Sequence, residues 1–183
     1  MTERVATILF TNIRDSSALF ERAGHEAAFG VLRAHLDILR RAIEQQGGRV
    51  VKTVGDGVMA VFDTPSSALR AVLRAHELMS ADMDAIQPVH LKTGMHHGSC
   101  LVAEIDQRED FIGTTVNLAA QLARASDGGD IVISADAFRD PAVGDIAERH
   151  ELTVVTNEML MKGSTMPLRY HKLRAARVSW SRC

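Results

Sequence analysis

The chain has 183 residues, a formal net charge of −2 and 46% hydrophobic residues, a composition typical of one globular domain with a well-filled core. A charge so close to zero gives no general attraction to nucleic acid or to a membrane surface, so neither is expected as a partner. The sequence contains no apolar run of membrane-spanning length and no signal-peptide core, and its two cysteines, Cys100 and Cys183, lie far apart; these features favour a reducing cytoplasmic location.

The first predicted element is a short buried strand over Val5 to Phe10. A turn over Asn12 to Ser17 then enters a helix, for which Ser16 or Ser17 is the expected N-cap. A second helix follows Gly24 and ends at Gly47-Gly48. Its apolar residues recur on one helical face, at Phe29, Leu32, Leu36, Leu39 and Ile43.

A β-hairpin is predicted next, with strands Arg49 to Val54 and Val58 to Asp63 joined at Gly55-Asp56-Gly57. Asp-Gly between two apolar runs is a strong hairpin signal, because tight primed turns need a positive φ. The flanking glycines would also let a phosphate or a metal ion approach the backbone near Asp56. Thr64-Pro65 predicts the start of another helix, since proline is favoured at the first helical position.

The sequence of the second half of the chain indicates more strands and one helix. Alternation at Val89, Leu91, Thr93 and Met95 indicates a strand, after which His96-His97-Gly98 is expected to form a turn into a returning strand. Asp106 to Asp110 is expected to be a charged loop. The remaining elements are a helix over Thr114 to Ala125 and strands over Ile131 to Ser134, Leu152 to Val155 and Leu168 to Leu173. The order β-α-β-β-α-β with additional strands predicts an α+β ferredoxin-like sandwich over residues 1–174, followed by an unstructured tail, residues 175–183.

Three blocks of this sequence resemble the signature motifs of the class III adenylate and guanylate cyclases of the stand-alone bacterial type. They are Thr7 to Ser17, the hairpin block Lys52 to Phe62, and Asp110 to Ala120. The resemblance extends over about residues 4–174. It implies a cyclase homology domain that converts ATP to 3′,5′-cyclic AMP and pyrophosphate with Mg²⁺ or Mn²⁺.

The resemblance implies metal ligands at Asp56, Asn12 and Ile13. The family has an aspartate where this chain has Asn12, whose amide oxygen can coordinate a cation but brings no negative charge. Asp15 either lends charge to the site or only stabilises the start of a helix. The backbone amides of Ile13, Arg14, Asp15, Ser16 and Ser17 are expected to bind the β- and γ-phosphates.

The remaining site residues follow from the same motifs. Lys52 and Asp110 occupy the family's adenine-reading positions, and Asn117 occupies the position that orients the ribose. Gln121 stands where the family has an arginine that stabilises the transition state. Glutamine lacks the charged, forked geometry of that side chain. Arg124 follows on the same helical face, where it either reaches into a rearranged site or faces solvent. Lys162-Gly163 resembles the segment from which the family supplies a phosphate-contacting lysine.

The resemblance also implies a head-to-tail homodimer with two clefts at its interface, or a heterodimer in which another cyclase domain supplies the missing charges. Two functions therefore stay open at this point. One is an adenylate cyclase of low or conditional activity. The other is a catalytically inactive module that binds nucleotide or regulates by dimerisation. His96 and His97 are expected to be structural, because adjacent strand residues point to opposite faces and no further residue has ligand spacing.

Overall fold

The computed structural model describes residues 1–81, 90–160, 162 and 165–175. Its elements, in chain order, are β1 (Thr2–Ile13), α1 (Ser16–Ala23), α2 (His25–Gln45), β2 (Arg49–Val54), β3 (Gly57–Phe62), α3 (Pro65–Ala81), β4 (Leu91–Ile105), β5 (Arg108–Ile112), α4 (Thr114–Ala125), β6 (Ile131–Ser134), α5 (Ala135–Phe138), α6 (Pro141–Arg149), β7 (Leu152–Leu160) and β8 (Pro167–Ala175). None of the helices in the described ranges is long and apolar enough to cross a bilayer.

The strands form one sheet in the order β2-β3-β1-β4-β6-β8-β7, with β5 paired to the far end of β4. The first four positions of this order, β2-β3-β1-β4, are those of a ferredoxin-like βαββαβ unit. β1 is antiparallel to both of its neighbours, β3 and β4, and β4 is parallel to β6. The predicted α+β fold with additional strands is therefore confirmed.

The two faces of the sheet pack against different elements. On one face, α2, α3 and α6 cover a large apolar cluster that includes Leu9 and Ile13 of β1. On the other face, Ile8 of β1 packs with Met59, Phe111 and Ala119, so α4 and β5 cover that side. Because strand side chains alternate between faces, Asn12 follows Ile8 and Phe10 on the α4 side of the sheet.

The predicted turn at His96-His97-Gly98 is wrong, because β4 continues through these residues without interruption. His96 pairs with Ile8 and Gly98 with Ala6 in a regular antiparallel register. Gly98 has a packing role: a Cβ atom there would lie 2.9 Å from the Thr115 Oγ1 atom of α4. Glycine inside a strand commonly marks such a close approach.

The predicted charged loop over Asp106 to Asp110 is also wrong beyond its first two residues. Asp106 and Gln107 form a tight two-residue turn, and β5 begins at Arg108. Both turn residues have a positive φ, 51° and 63°, as a type I′ hairpin turn requires. Glycine or asparagine usually fills such positions, so Asp106-Gln107 is not a sequence from which this turn is readily predicted. The short helices α5 and α6 were not predicted either.

Three local predictions need correction in the first half of the chain. The N-cap of α1 is Asp15, and neither Ser16 nor Ser17 takes that role. Asn12 and Ile13 belong to β1, so the turn into α1 is shorter than expected. Phe29 is 59% exposed on α2, although its spacing placed it on the buried face.

Some predictions lie wholly or partly outside the described residues. Residues 176–183 of the expected tail, with Cys183, are among them, as are Val89 and Gly163. Ala175, the first residue of that expected tail, is the last residue of β8.

Candidate active site

The backbone of the β2–β3 hairpin approaches the end of β1 very closely. A Cβ atom placed on Gly57 would lie 1.7 Å from the Thr11 carbonyl oxygen and 2.9 Å from the Asn12 Cα atom. Only glycine fits at this position, since real Cβ atoms do not make such contacts. The Val58 amide adds a hydrogen bond of 3.2 Å to the Thr11 hydroxyl. This contact holds Asp56, the residue before Gly57, next to Asn12.

The turn at the hairpin tip differs in detail from the expected Asp-Gly turn. Gly55 has a φ of 61°, whereas Asp56 does not have a positive φ. This pattern is that of a type II′ turn, with glycine at the first central position. The two glycines that flank Asp56 therefore have different roles. Gly55 makes the turn, and Gly57 allows the close contact with β1.

The oxygen donors at this contact are chemically suited to a hard divalent cation. Asp56 offers a carboxylate, Asn12 an amide oxygen and Ile13 a backbone carbonyl, and oxygen ligands are those that Mg²⁺ prefers. Among the described residues, neither the Asn12 nor the Asp56 side chain has a hydrogen bond or ion pair to the rest of the protein. The donor set thus fits a divalent ion in type, but Asp56 is its only carboxylate.

The turn that follows β1 leaves several backbone amides without acceptors. Asp15 adopts a left-handed conformation with φ 54°, and its carbonyl accepts the first hydrogen bonds of α1 from Ala18 and Leu19. The amides of Asp15, Ser16 and Ser17 have no acceptor among the described residues, as is usual in the first turn of a helix. Arg14 departs from the prediction, because its amide donates to the His90 carbonyl at 2.8 Å and is not available to a phosphate.

Lys52 and Asp110 meet across β2 and β5. The Lys52 Nζ atom lies 2.5 Å from the Asp110 Oδ2 atom, and the Oδ1 atom accepts the Phe111 amide at 2.8 Å. The fold brings them together because Phe111 is buried between β2, β3 and α4 and fixes β5 against β2. A second ion pair, Arg49 with Glu109, joins the same two strands.

The outer face of α4 carries the other predicted residues. Its buried residues are Thr115, Ala119, Leu122 and Ala123. Asn117 and Arg124 are exposed, and neither side chain has a partner in the described part of the chain. Gln121 is half-buried, and its Oε1 atom accepts a hydrogen bond of 2.8 Å from the Lys162 backbone amide. The structure thus places Gln121 beside Lys162, a pairing that the sequence did not predict.

The two histidines have hydrogen-bond partners inside the fold. The His96 Nδ1 atom lies 2.7 Å from the Ser134 hydroxyl, and the His97 Nδ1 atom lies 2.9 Å from the Thr7 hydroxyl. Burial lowers the pKa of His96, so its ring is held in the neutral form at physiological pH. Both residues thus have a structural role in the described fold.

Residues 2–173 match the family model of the adenylate and guanylate cyclase catalytic domain. An adenylate cyclase of Lachancea kluyveri is 36% identical over 152 residues, which are 70% of this chain and 8% of that protein. An adenylate cyclase of Podospora anserina is 31% identical over 151 residues, again 70% of this chain and 7% of that protein. The chain therefore spans less than a tenth of the length of these relatives.

Solved structures with the same fold include bacterial ones. The adenylyl cyclase CyaB from Pseudomonas aeruginosa superposes with a TM-score of 0.80 at 24% identity, covering 99% of this chain and 100% of that one. An adenylate/guanylate cyclase/hydrolase from Silicibacter pomeroyi superposes with a TM-score of 0.73 at 27% identity, covering 97% and 100%.

Proposed function

The chain belongs to the adenylate and guanylate cyclase catalytic-domain family, and we propose that it is an adenylate cyclase of low or conditional activity that converts ATP to 3′,5′-cyclic AMP and pyrophosphate. In this reaction the 3′-oxygen of ATP forms a bond to the α-phosphorus. The bond from that phosphorus to the bridging oxygen of pyrophosphate breaks, and the proton of the 3′-hydroxyl is lost.

The observation that carries the choice of ATP is the Lys52–Asp110 ion pair at 2.5 Å. Adenine presents a ring-nitrogen acceptor beside its amino donor. An ammonium group donates and a carboxylate accepts, so this pair complements that edge. Guanine presents an acceptor oxygen where adenine has its amino group, and Asp110 would repel it. The Phe111 amide fixes Asp110 in this orientation before any nucleotide binds.

The phosphate end of the nucleotide is assigned to the contact between β1 and the β2–β3 hairpin. The free amides of Asp15, Ser16 and Ser17 would donate to the β- and γ-phosphates. Asp56, Asn12 and the Ile13 carbonyl would hold Mg²⁺ or Mn²⁺, which supplies activation of the attacking oxygen and neutralisation of the phosphates. Asn117 orients the ribose so that its 3′-hydroxyl faces the α-phosphorus.

We assign the low activity to two residues. Asn12 leaves one carboxylate at the metal site, so a second dication is held weakly. Gln121 brings no positive charge to the α-phosphate, and loss of one such stabilising group typically costs about 10²–10³ in rate. Its Oε1 atom is also occupied by the Lys162 amide.

The proposal places the complete site between two chains in a head-to-tail homodimer. Asn12 and Asp56 of one chain would face four residues of the other, which are Lys52, Asp110, Asn117 and Gln121. Activity should then rise with protein concentration, because a monomer holds only half of each site. Sedimentation showing a monomer at high concentration with ATP and Mn²⁺ present would contradict the homodimer. Activity restored by adding an active cyclase domain would point to a heterodimer.

A second function, an inactive nucleotide-binding or regulatory module, is favoured by the Gln121–Lys162 hydrogen bond. Here the residue in the position of the transition-state arginine has a structural partner instead. This function predicts ATP binding without turnover.

Cyclic AMP formation by the purified protein at saturating ATP and Mn²⁺ separates the two. We expect the double variant Asn12→Asp/Gln121→Arg to be at least about tenfold faster than the unmodified protein, a part of the 10²–10³ ascribed to one charge-stabilising group. Asp56→Ala is the blank. Arg124→Gln is the matched control, since it removes an exposed arginine from the same face of α4 and should change little.

A double variant that folds and dimerises but stays at the level of the blank would contradict the cyclase proposal and support the regulatory module. A large loss in Arg124→Gln would show that Arg124 acts in a rearranged site.

A further inference from the structure

Arg14 joins the turn after β1 to a distant loop. Its Nη1 atom donates to the Asp127 carbonyl at 2.8 Å, and its Nε atom donates to the Asp15 carboxylate at 3.2 Å. One guanidinium therefore bridges the start of α1 and the loop that follows α4. The Arg14 amide is fixed as well, by the His90 carbonyl.

The loop from Ser126 to Asp130, called the 126–130 loop below, is shaped to receive Arg14. Gly128 has a φ of 90°, and a Cβ atom on it would lie 2.8 Å from the Arg14 Cδ atom and 3.2 Å from the His90 Cβ atom. Both the conformation and the lack of space require glycine there. The neighbouring Gly129 amide donates to the Leu91 carbonyl at 2.8 Å, so the loop is also tied to the start of β4.

Asp130 holds the 126–130 loop from inside. This carboxylate is 1% exposed, and its Oδ1 atom accepts hydrogen bonds from the Ser126 hydroxyl, the Asp127 amide and the Gly128 amide. Its Oδ2 atom has no hydrogen bond within the described part of the chain but lies 3.7 Å from Lys172 Nζ and 3.6 Å from Arg174 Nη2.

Asp127 completes the connection to β8. Its carboxylate pairs with both Lys172 and Arg174, while its carbonyl accepts Arg14. The hydrogen bond from Lys172 is the largest cause that lowers the pKa of Asp127, so this carboxylate is charged at neutral pH. A row of contacts thus runs from β8 through the loop to the turn after β1.

From this row of contacts we infer that Arg14 and the 126–130 loop act as a clamp that fixes the turn Ile13–Ser17 in its phosphate-binding conformation. Asp15 is held left-handed at the start of α1, a conformation that non-glycine residues rarely adopt. That conformation leaves the amides of Asp15, Ser16 and Ser17 without acceptors among the residues that the structure describes. Arg14 and Gly128 are positioning residues, because they act through the turn and do not themselves contact phosphate.

The value of this clamp for catalysis rests on the proposed function, but the clamp itself can be tested without nucleotide. Arg14→Met removes the guanidinium and keeps the length of the side chain. Arg149→Met is the matched control, because Arg149 is another exposed arginine whose Nε atom donates to a backbone carbonyl, that of Asp145 at 3.1 Å. Amide hydrogen exchange of the full chain is measured first, in the absence of ATP and metal.

We expect exchange of the Ala18 and Leu19 amides, which donate to the Asp15 carbonyl, to be at least about fivefold faster in Arg14→Met than in Arg149→Met. Exchange in β4 and α4 should be unchanged, because only the clamped segment opens locally. Arg14→Lys should restore part of the protection, since lysine can reach the Asp127 carbonyl but cannot also hold Asp15. Gly128→Ala should open the same segment from the other side, whereas Gly144→Ala, at a position with open space, should not. Unchanged exchange at Ala18 and Leu19 in both Arg14→Met and Gly128→Ala, or a uniform rise across the whole sheet, would overturn the clamp.

Binding of inorganic triphosphate with Mn²⁺ is the second measurement. Arg14→Met should weaken it by about tenfold, since small misplacements of binding groups can cost up to about 10²-fold. An unmodified protein that binds neither triphosphate nor ATP, but shows the local exchange effect, would refute the proposed function and leave the clamp intact. Local opening with unchanged triphosphate affinity would overturn the link between the clamp and phosphate binding.

Discussion

The two ends of the sheet use charged side chains in different ways. Around β1, β2 and β3, Asn12 and Asp56 have no protein partner in the described residues, and their position comes from the backbone contact at Gly57. Around β6 and β8, Asp127, Asp130, Lys172 and Arg174 pair with one another, and Asp130 is almost fully buried. The first region leaves polar atoms open to a ligand, and the second uses them to hold the fold. The burial and pairing of Asp130 are therefore explained by its contacts within the fold, without a catalytic role.

The largest effect should come from removing the buried charge at the β8 end. Asp130→Ala leaves the Ser126 hydroxyl and the Asp127 and Gly128 amides without their acceptor, and each buried donor left unpaired costs about 1–3 kcal/mol. Asp130→Asn keeps an acceptor oxygen and should lose clearly less folding stability. Urea denaturation of the two variants measures the difference. Equal losses in both would mean that the hydrogen bonds accepted by Asp130 contribute nothing and that the whole loss comes from its charge.

Gly57→Ala should cause the next largest loss of stability, because it breaks the backbone contact at the other end of the sheet. Overpacking of this kind typically costs about 1–3 kcal/mol. It should also move Asp56 away from Asn12 and abolish Mn²⁺-dependent ATP binding. Gly55→Ala is the matched control: its Cβ atom would meet open space, so only the left-handed conformation opposes it, at about 1–2 kcal/mol. Retention of ATP binding in Gly57→Ala would contradict the role of this contact.

Acid should weaken the fold in two steps, and the paired charges of the β8 end should contribute only to the second. Burial lowers the pKa of His35, His76 and His96, that of His76 to about 4. A histidine whose pKa is lowered on folding binds protons more readily when unfolded, so stability should fall as the pH drops from about 6.5 to about 4.

The second step belongs to Asp127, whose folded-state pKa lies below its usual value of 3.8. Its contribution is present above that pH and is lost as the pH falls through the lowered pKa. Urea midpoints measured from pH 7 to pH 3 should show both steps. Asp127→Asn should flatten only the lower one; an unchanged decline below pH 4 in this variant would contradict the assignment.

The smallest effect on stability is expected for the ion pair that joins β2 and β5. Asp110→Ala breaks a partly exposed ion pair, and such pairs contribute about 0–1 kcal/mol. The same change should erase the preference for ATP over GTP, which calorimetric titration of both nucleotides measures. Glu109→Ala is the control, because it breaks the neighbouring ion pair with Arg49 on the same strands and should leave the preference unchanged. Equal affinities for ATP and GTP in the unmodified protein would contradict the adenine assignment.

Local sequence patterns were sufficient to predict the elements whose propensities and apolar spacing agree with their place in the fold. The bounds predicted for α4 and β6 agree with the structure, and proline begins α3 as expected. The predictions are wrong where a contact with a residue distant in the sequence determines the local structure. Gly98 was predicted as a turn residue, but glycine is needed there because Thr115 packs closely against it. The charged segment of β5 was predicted as a loop, but Phe111 packs it against the core as a strand.

The motif resemblance named residues for the candidate site but gave no geometry for them. The motif resemblance named Lys52 and Asp110, and the structure places their charged groups in contact. For Arg14 only a role of the backbone amide in phosphate binding was predicted. In the structure its side chain makes the long-range contact. Nothing near Arg14 in the sequence could have indicated Asp127, since their meeting depends on the path of the whole chain between them.

The pairing of β1 also has a consequence for how the chain is made. β1 lies between β3 and β4, and its residue Ile8 pairs with Val61 and His96, both far along the sequence. At roughly 5–20 residues synthesised per second, β1 leaves the ribosome on the order of ten seconds before β4 can join it. During that interval β3 can pair with one edge of β1, but the other edge has no partner strand, and an unpaired apolar edge of this kind exposes a nascent chain to aggregation.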